Sequence, residues 1–350
     1  MPRSCSVNGS STPLAATQRT STTPKRVFVV VCLVCSCCAS IPNRQVAHKP
    51  GLPGAALWRS PANASSLNLF YGVGGSDHAP DPRGRFTFIA EDLQATSPKF
   101  TVKDQQGVEW KVKLGEEPQS ETAATRFLWA AGFFVDEDYY VPEFKLTSAP
   151  TLRRGANLIG KDGTVRRARF ERKLPGLKNA GPWSWFDNPF VGTREFNGLR
   201  TMMAILNNWD LKADNNAIYE LGGERRYVVS DVGATFGRTG SVFSGSQSSP
   251  GDYATSTFVS STTTEFVDFE LRSRPFFLLA VNLPQYIQRS RMQAITSRIP
   301  RADARWLGQR LSALSTAQIR DGFRAAGYEP HEIDTFTQAM RKRIAALDAL

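Results

Sequence analysis

The hydrophobic residues of this chain change their spacing from one region to the next, and that change limits the folds it can adopt. From Val108 to Leu114 apolar and charged residues alternate, so Val112 would lie on one face of a strand and Lys113 on the other. Farther along, residues 194–208 carry apolar side chains at helical spacing. A chain that begins with strand patterns and continues with helix patterns favours a sheet layer followed by a helical layer.

The order of these patterns predicts an α+β protein with two lobes. Strands are predicted at residues 86–89, 100–103, 108–114 and 139–146, helices at 121–131 and 194–208, and a helical region from residue 302 onward. Ser120 is the expected N-cap of the first helix, and Ser315 with Gln318 is an expected capping box. We therefore expect a small antiparallel-sheet N-lobe with one helix, followed by a mostly helical C-lobe.

The first 40 residues predict an export signal. Lys25 and Arg26 precede the apolar run 27–34, and small residues follow at 35–40, an order typical of secretory signals. The run is too short to span a bilayer comfortably. Its end resembles a bacterial lipobox, which would make Cys37 an acylated membrane anchor, whereas a plain cleaved signal remains the alternative. Either interpretation places the protein outside the cytoplasm, in the periplasm or cell envelope.

The rest of the chain divides by composition. Residues 41–66 are rich in proline with little periodicity and predict a linker. The N-lobe is expected at residues 67–150 and the C-lobe at 151–350. Within the C-lobe, residues 237–264 are rich in Ser, Thr and Gly and predict a mobile loop.

The distribution of charge, cysteine and histidine excludes several classes of function. The formal net charge is +11, but the first 50 residues contain six basic residues and no acid, so the excess over the remainder is mild. No basic stretch interleaved with aromatic residues indicates a nucleic-acid partner. All five cysteines lie in the first 38 residues, which excludes thiolate metal sites and cysteine nucleophiles beyond them. Three scattered histidines argue against a histidine metal cluster.

The motif that carries chemistry begins directly after the 194–208 helix. Its sequence is Asp-Leu-Lys-Ala-Asp-Asn, from Asp210 to Asn215, and two short strand patterns lead from it to Asp231 in an Asp-Val-Gly turn. Upstream, the third strand presents Lys113 and the next helix presents Glu121. Phosphoryl transfer needs such a set, because a cation must hold phosphates, a carboxylate must receive a hydroxyl proton, and oxygen ligands must hold magnesium.

Together these residues resemble the protein-kinase signature set of a strand Lys, a helix Glu, a D-x-x-x-x-N loop and a D-x-G turn. The resemblance implies a kinase-like fold over roughly residues 86–237, with ATP and Mg²⁺ or Mn²⁺ as cofactors. In the roles that it implies, Lys113 contacts the phosphates and Glu121 pairs with that lysine. Asp210 is the catalytic carboxylate, Lys212 steadies the transferred group, and Asn215 and Asp231 are metal ligands. The hairpin Glu91 to Lys99 covers the nucleotide, with Ser97 and Lys99 as its binding residues.

Several departures place the resemblance in a divergent branch. Asn208-Trp209 stands where typical kinases have His-Arg, the covering hairpin contains no glycine, and no Ala-Pro-Glu follows the turn at Asp231. Lys113 and Glu121 are also only eight residues apart. These features are similar to those of HipA-type, spore-coat CotH-type, secretory-pathway and phosphatidylinositol kinases, which keep the polar catalytic residues and little else.

The function predicted from this resemblance is magnesium-dependent transfer of the ATP γ-phosphoryl group to a hydroxyl of unknown origin, on a protein, sugar or lipid. One alternative is an inactive pseudokinase that still binds nucleotide. Another is a non-enzymatic cell-envelope protein that binds glycan or protein through the aromatic segment Trp183 to Phe190. A packed loop is the favoured explanation of this aromatic segment.

Overall fold

The structure is a computed structural model. It describes residues 54–61, 63–93, 97–147, 152–238, 247–271 and 283–350. All of these residues belong to one compact unit that spans Val46–Leu350. The predicted export signal, with Cys37, lies outside the described residues, as does most of the predicted linker. In the described part of the chain no helix is both long and apolar enough to cross a membrane.

The described residues form fourteen strands and seven helices. The strands are β1 (Ala55–Ala56), β2 (Arg85–Asp92), β3 (Lys99–Lys103), β4 (Glu109–Lys113), β5 (Asp138–Leu146), β6 (Thr164–Arg172), β7 (Lys178–Asn179), β8 (Asn216–Leu221), β9 (Glu224–Val229), β10 (Gly237–Arg238), β11 (Gln247–Ser248), β12 (Val259–Thr262), β13 (Phe266–Phe269) and β14 (Ile299–Pro300). The helices are α1 (Pro118–Ala130), α2 (Arg194–Ile205), α3 (Pro250–Thr255), α4 (Leu283–Ile295), α5 (Arg301–Ser312), α6 (Thr316–Ala325) and α7 (Pro330–Asp348).

The first lobe is a five-stranded barrel in the order β2-β3-β4-β6-β5. Neighbouring strands are antiparallel except where β2 closes the barrel against β5 in parallel. Its interior contains Phe86, Phe144 and Phe170, whose ring centroids lie 4.8 to 5.4 Å apart. Because side chains alternate along β4, Val112 enters this core while Lys113 points out of the barrel toward α1.

The second lobe is mostly helical, with a four-stranded sheet β1-β9-β8-β7 and the three-stranded sheet β12-β13-β14 beside the helices. Its core is a separate cluster in which Phe236, Phe323 and Phe336 pack ring against ring. Helix α1 joins the two lobes, because Phe127 on one side packs 5.0 Å from the Phe323 ring while Glu121 on another faces β4. The predicted α+β class, with a small sheet lobe, one helix and a mostly helical second lobe, is confirmed.

The lobe boundaries differ from those expected. Strand β6 lies beyond residue 150 and pairs with both β4 and β5, so the barrel includes residues that composition assigned to the C-lobe. The end of the expected linker also contributes structure, since β1 pairs in parallel with β9 and Leu57 is buried. The high proline content and short apolar runs of these regions did not indicate strands. Their pairing depends on strands that lie far away in the sequence.

The Ser/Thr-rich stretch 237–264 also contains ordered elements. Residues 239–246 lie outside the described residues. On either side of them β10 pairs with β11, and α3 and β12 follow. Tyr253 on α3 is fully buried and donates a hydrogen bond of 2.7 Å to the carbonyl of Ile205. This buried aromatic residue anchors the stretch to the helical core. The small polar residues around Tyr253 did not predict this packing.

Candidate active site

Lys113 is the centre of a charged cluster between the two lobes. Its side chain is fully buried, and Nζ donates 2.7 Å to Glu121 Oε2 and 3.2 Å to Asp231 Oδ1. Burial alone would lower the pKa of this lysine, but the carboxylates of Glu121, Asp231 and Glu117 outweigh burial and raise it. Lys113 is therefore a fixed cation held by groups from both lobes.

The short connection from β4 to α1 explains how Lys113 and Glu121 meet although they are only eight residues apart. Gly115 turns the chain with φ of +107°, a conformation that glycine adopts without strain. Pro118 then begins the helix, so Glu121 lies in its first turn, directly opposite the end of the strand. The predicted N-cap at Ser120 is wrong, because the cap is Glu117 and Ser120 lies inside the helix.

Glu117 is a third carboxylate at this cation, and the sequence analysis did not identify it. Its Oε2 lies 2.5 Å from Lys113 Nζ and accepts a hydrogen bond of 3.1 Å from Ser97 Oγ. Glu117, Glu121 and Asp231 each contribute one carboxylate oxygen to a group of three oxygens that lie within 4.8 Å of one another. The i,i+4 spacing from Lys113 was visible in the sequence, but residues 113–117 span a turn and not a helix.

Asp231 brings the second lobe to the cluster. Burial raises the pKa of its carboxyl, but Lys113 and then Lys99 oppose burial and lower that pKa to about 2. Lys99 is buried at the start of β3, with Nζ 3.9 Å from Asp231 Oδ2. Burial, followed by the charge of Lys113, lowers the pKa of Lys99. Two lysines thus keep this carboxylate ionised at any physiological pH.

A buried ion network supports the cluster from behind. Arg169 on β6 donates 2.7 Å to Glu121 Oε1 and lies 3.6 Å from Asp138 Oδ2. Arg126 on α1 holds the other oxygen of Asp138 at 2.9 Å. Burial raises the pKa of Glu121, and Arg169 and Lys113 oppose that rise. The sequence analysis missed these residues, because an isolated arginine on a strand does not indicate which carboxylate it will meet.

The loop from Asp210 to Asn215 follows α2, which ends at Ile205 and not at residue 208 as predicted. Asn207 adopts a left-handed φ of +52° and donates 2.7 Å to the carbonyl of Gly237, which stops the helix. Lys212 Nζ lies 2.7 Å from Asp210 Oδ1. The carboxylate and the lysine that the resemblance assigns to catalysis therefore contact each other.

Asn215 connects this loop to Asp231. Its side-chain Nδ2 donates 2.6 Å to the carbonyl of Asp210. Its own carbonyl accepts hydrogen bonds of 2.9 and 3.1 Å from the backbone N–H groups of Ser230 and Asp231. Farther back, the N–H of Trp209 donates 3.4 Å to the carbonyl of Ala234. The Asp210–Asn215 loop and the Asp-Val-Gly turn at Asp231 are therefore adjacent and hydrogen-bonded to each other.

The covering hairpin is only partly described, because residues 94–96 fall outside the described ranges. Glu91 at the end of β2 accepts hydrogen bonds of 2.9 Å from the backbone N–H groups of both Arg153 and Arg154. Those bonds, led by the one from Arg153, lower the pKa of Glu91. At the other end of the hairpin, Ser97 and Lys99 reach Glu117 and Asp231. The hairpin's two cofactor-binding candidates therefore lie at the cluster.

Gly233 in the Asp-Val-Gly turn packs directly against Glu117. A Cβ atom at this position would lie 2.8 Å from Glu117 Cβ, and Ser120 Oγ already donates 2.6 Å to the Gly233 carbonyl. We expect Gly233→Ala to displace Glu117 and to lower the free energy of unfolding by about 1–3 kcal/mol. Gly251→Ala is the control, because a Cβ atom there meets nothing within 4 Å. Equal urea midpoints for the two variants would contradict this packing.

A cavity of about 730 Å³ begins two residues along β4 from Lys113. Lys111 and Glu171 line it, as does Tyr219, which is hydrogen-bonded to the buried Asp136. Burial and then the charge of Glu171 raise the pKa of Asp136. The residues that line this cavity do not include Lys113, Glu121 or Asp231. The cavity and the charged cluster are therefore neighbouring but separate features.

The aromatic segment Trp183 to Phe190 is mainly a packed loop. Trp183 and Trp185 are buried, and Trp183 Nε1 donates 2.8 Å to the carbonyl of Val228. Their rings pack on Phe196 of α2. Phe186 differs, because 60% of its surface is exposed. Buried tryptophans cannot form the flat platform expected of a glycan-binding surface.

Comparison with known proteins gives no family. No protein-family model matches the sequence, and no curated protein matches it. Among solved structures, the chain is similar to the Helicobacter pylori proinflammatory kinase CtkA, with a TM-score of 0.43 and 11% identity over 77% of this chain and 98% of that chain. It is also similar to the Golgi casein kinase with Mn/ADP bound, with a TM-score of 0.39 and 9% identity over 77% of this chain and 72% of that chain. A further structure of the Golgi casein kinase aligns with a TM-score of 0.35.

Proposed function

We propose that this protein transfers the γ-phosphoryl group of ATP to a hydroxyl, with a divalent metal ion as cofactor. The observation that supports this proposal is the convergence on Lys113 of Glu121 from α1 and Asp231 from the second lobe, at 2.7 and 3.2 Å. A fully buried lysine costs free energy unless it is paired, and a fixed cation between two lobes suits a polyphosphate. Lys99 adds a second positive charge at the same place.

The donor set fits a hard cation. Glu117, Glu121 and Asp231 supply carboxylate oxygens close together, and Asn215 lies beside Asp231 with an amide oxygen of its own. Mg²⁺ and Mn²⁺ both prefer such oxygen ligands. Asp231 and Asn215 would hold the ion, with Glu117 as a further ligand. A bound ion would neutralise phosphate charge at this site.

In the transfer step a new bond forms between the acceptor oxygen and the γ-phosphorus, while the bond from that phosphorus to the β-phosphate oxygen breaks. The hydroxyl proton passes to the carboxylate of Asp210, and ADP leaves with the electron pair of the broken bond. Lys212, now 2.7 Å from Asp210, would turn to the transferred group. Lys113, held by Glu121 and Arg169, stays fixed on the remaining phosphates.

The direct test is nucleotide-dependent thermal stabilisation. We expect ATP with Mg²⁺ or Mn²⁺, at about one hundred times Kd, to stabilise the purified protein by about 2.7 kcal/mol. For a folded unit of about 300 residues that corresponds to a rise in Tm of roughly 4 °C. ATP with EDTA is the control and should give a much smaller rise. A Tm that does not change with any nucleotide and metal would contradict the proposal.

Export to the periplasm or cell envelope, with lipid anchoring through Cys37, remains part of this proposal. The supporting observation is the order of basic, apolar and small residues in the leader. Fractionation of cells that express the full chain, with a Cys37→Ser variant beside it, tests both statements. Release of the variant from membranes would support acylation, and recovery of both proteins in the cytoplasm would contradict export.

A further inference from the structure

A shallow groove of about 250 Å³ lies beside the loop that carries Asp210. It runs between this loop, the segment that contains Phe186, and helix α4. The residues that define it are Leu211, Met292 and Ile295 in its floor, Phe186 in its wall, and Lys212 and Arg291 at its rim.

The floor of the groove is apolar and firmly held. Leu211, Met292 and Ile295 are each at most 5% exposed. The backbone N–H of Leu211 donates to Met292 Sδ at 3.2 Å, which ties the loop to α4. Asp210 precedes Leu211 in the chain and is not itself among the lining residues, but Lys212 at the rim lies 2.7 Å from its Oδ1, which places this carboxylate beside the groove.

The wall of the groove is the ring of Phe186, which is exposed to solvent. Phe186 is more exposed than any other large apolar residue in the described part of the chain, although Trp183 and Trp185 beside it are buried. Ile287, one turn before Arg291 on α4, is also nearly half exposed. Covering Phe186 with another apolar group would remove it from water, which favours association.

The rim carries exposed charges of both signs, and among the residues that the structure describes Arg291 is the unpaired one that directly adjoins a floor residue, Met292. Lys212 is already paired with Asp210. Arg291 forms no ion pair with any residue that the structure describes, whereas the one acid in the groove lining, Asp214, is exposed and itself unpaired among those residues. Arg291 stands at the end of the groove contributed by α4, next to Met292. This cation beside an apolar floor complements an acidic side chain that follows or precedes an apolar one.

We infer that this groove is the acceptor site, and that the acceptor is a polypeptide whose hydroxyl residue is flanked by an apolar side chain and an acidic one. The inference rests on the proposed phosphotransfer, because it places the acceptor hydroxyl at Asp210. The groove's volume of about 250 Å³ is below the usual range of pockets that enclose a whole small molecule, and it suits one or two side chains of a longer partner. A buried apolar floor surrounded by exposed polar side chains, among them Gln288 and Arg291, suits an apolar side chain with polar neighbours in a peptide.

The test uses synthetic peptides that each contain one serine, phosphorylated by the purified full chain with radiolabelled ATP. One peptide carries Leu and Glu within three residues of the serine, a second replaces Leu by Ala, and a third replaces Glu by Lys. We expect the first to have the lowest KM, by about tenfold. Phe186→Ala should raise that KM about tenfold with little change in kcat, and Phe186→Trp should restore it. Arg291→Glu should reverse the preference between Glu and Lys, whereas Arg83→Glu, a remote exposed arginine, should not.

Two results would overturn the inference while leaving the proposed function intact. One is a nucleotide-dependent rise in Tm without phosphorylation of any of the peptides, including the case in which only a sugar or lipid is phosphorylated. The other is an equal kcat/KM for the three peptides that Phe186→Ala does not change. Absence of any nucleotide-dependent rise in Tm would instead contradict the phosphotransfer proposal itself.

Discussion

Replacing Asp231 by asparagine is expected to abolish the metal-dependent part of nucleotide stabilisation and to reduce phosphoryl transfer at least a hundredfold. The carboxylate is the group from the second lobe that contacts Lys113, and its pKa of about 2 keeps it ionised and available to a metal ion. Asparagine keeps the size of the side chain and removes its charge. ADP release and the rise in Tm with ATP and Mn²⁺ are the two measurements.

The variant should remain folded, because Lys113 keeps two carboxylates at 2.5 and 2.7 Å. Asp77→Asn is the matched control, since Asp77 is an exposed acid in the segment before the barrel and should change neither measurement. If Asp231→Asn retained the full metal-dependent rise in Tm together with normal transfer, Asp231 would not be a metal ligand and the site described above would be wrong.

Replacing Lys113 by methionine is expected to cause the largest loss of stability. The change leaves three carboxylates without the cation that they share, and breaking a buried ion pair typically costs about 3–5 kcal/mol. Methionine has a similar length and no charge, so loss of packing should contribute little. Urea unfolding at neutral pH measures the effect. The double variant Lys113→Met/Glu121→Gln should recover part of the loss, because it removes the most deeply buried of the three carboxylates that lose Lys113, the one that then keeps only Arg169 as an ion-pair partner among the described residues.

The pH dependence of the Lys113→Met variant follows from the same groups. In the native protein the depressed pKa of Asp231 contributes stability that is present above the unfolded value near 4 and is lost as pH falls toward 2. The raised pKa of Lys113 contributes stability that is fully present below about pH 10 and is lost only above it. The variant lacks the effect of Lys113 and keeps only the part of the Asp231 effect that Lys99 supplies, and burial should raise the pKa of Glu121 further.

We therefore expect the stability difference between the native protein and Lys113→Met to shrink as pH falls from about 7 toward 5, where the buried carboxylates of the variant take up protons. A difference that stayed constant over this range, together with no recovery in the double variant, would show that these carboxylates do not share the charge of Lys113.

Much of the candidate site could be predicted from residue type and order. Lys113, Glu121, Asp210, Asn215 and Asp231 each stand on the kind of element that their proposed role needs. The small number of residues between β4 and α1 even forces Lys113 and Glu121 close together, since a strand end and the first turn of the next helix must adjoin. Periodicity also predicted four of the five barrel strands, all except β6, and the main helices, because each buries one face.

Glu117 and Arg169 could not be found in that way. Their roles depend on contacts with Ser97, Gly233 and Glu121, which are separated from them by 20 to 116 residues in the chain. Likewise, nothing local distinguishes Phe186 from the two buried tryptophans before it. Which member of an aromatic group faces solvent is decided by the helix and sheet against which the group packs.

The sequence by itself determined the alternation of faces along β4, the approximate positions of most main elements and the inventory of charged groups, because these depend on neighbours within a few residues. Only the tertiary structure decided that Lys113 loses its water and gains three carboxylates, that the barrel extends to β6, and that an apolar groove opens beside Asp210. Burial and pairing change the free energy of a charge far more than its sequence context does, and both depend on residues that folding brings together from distant parts of the chain.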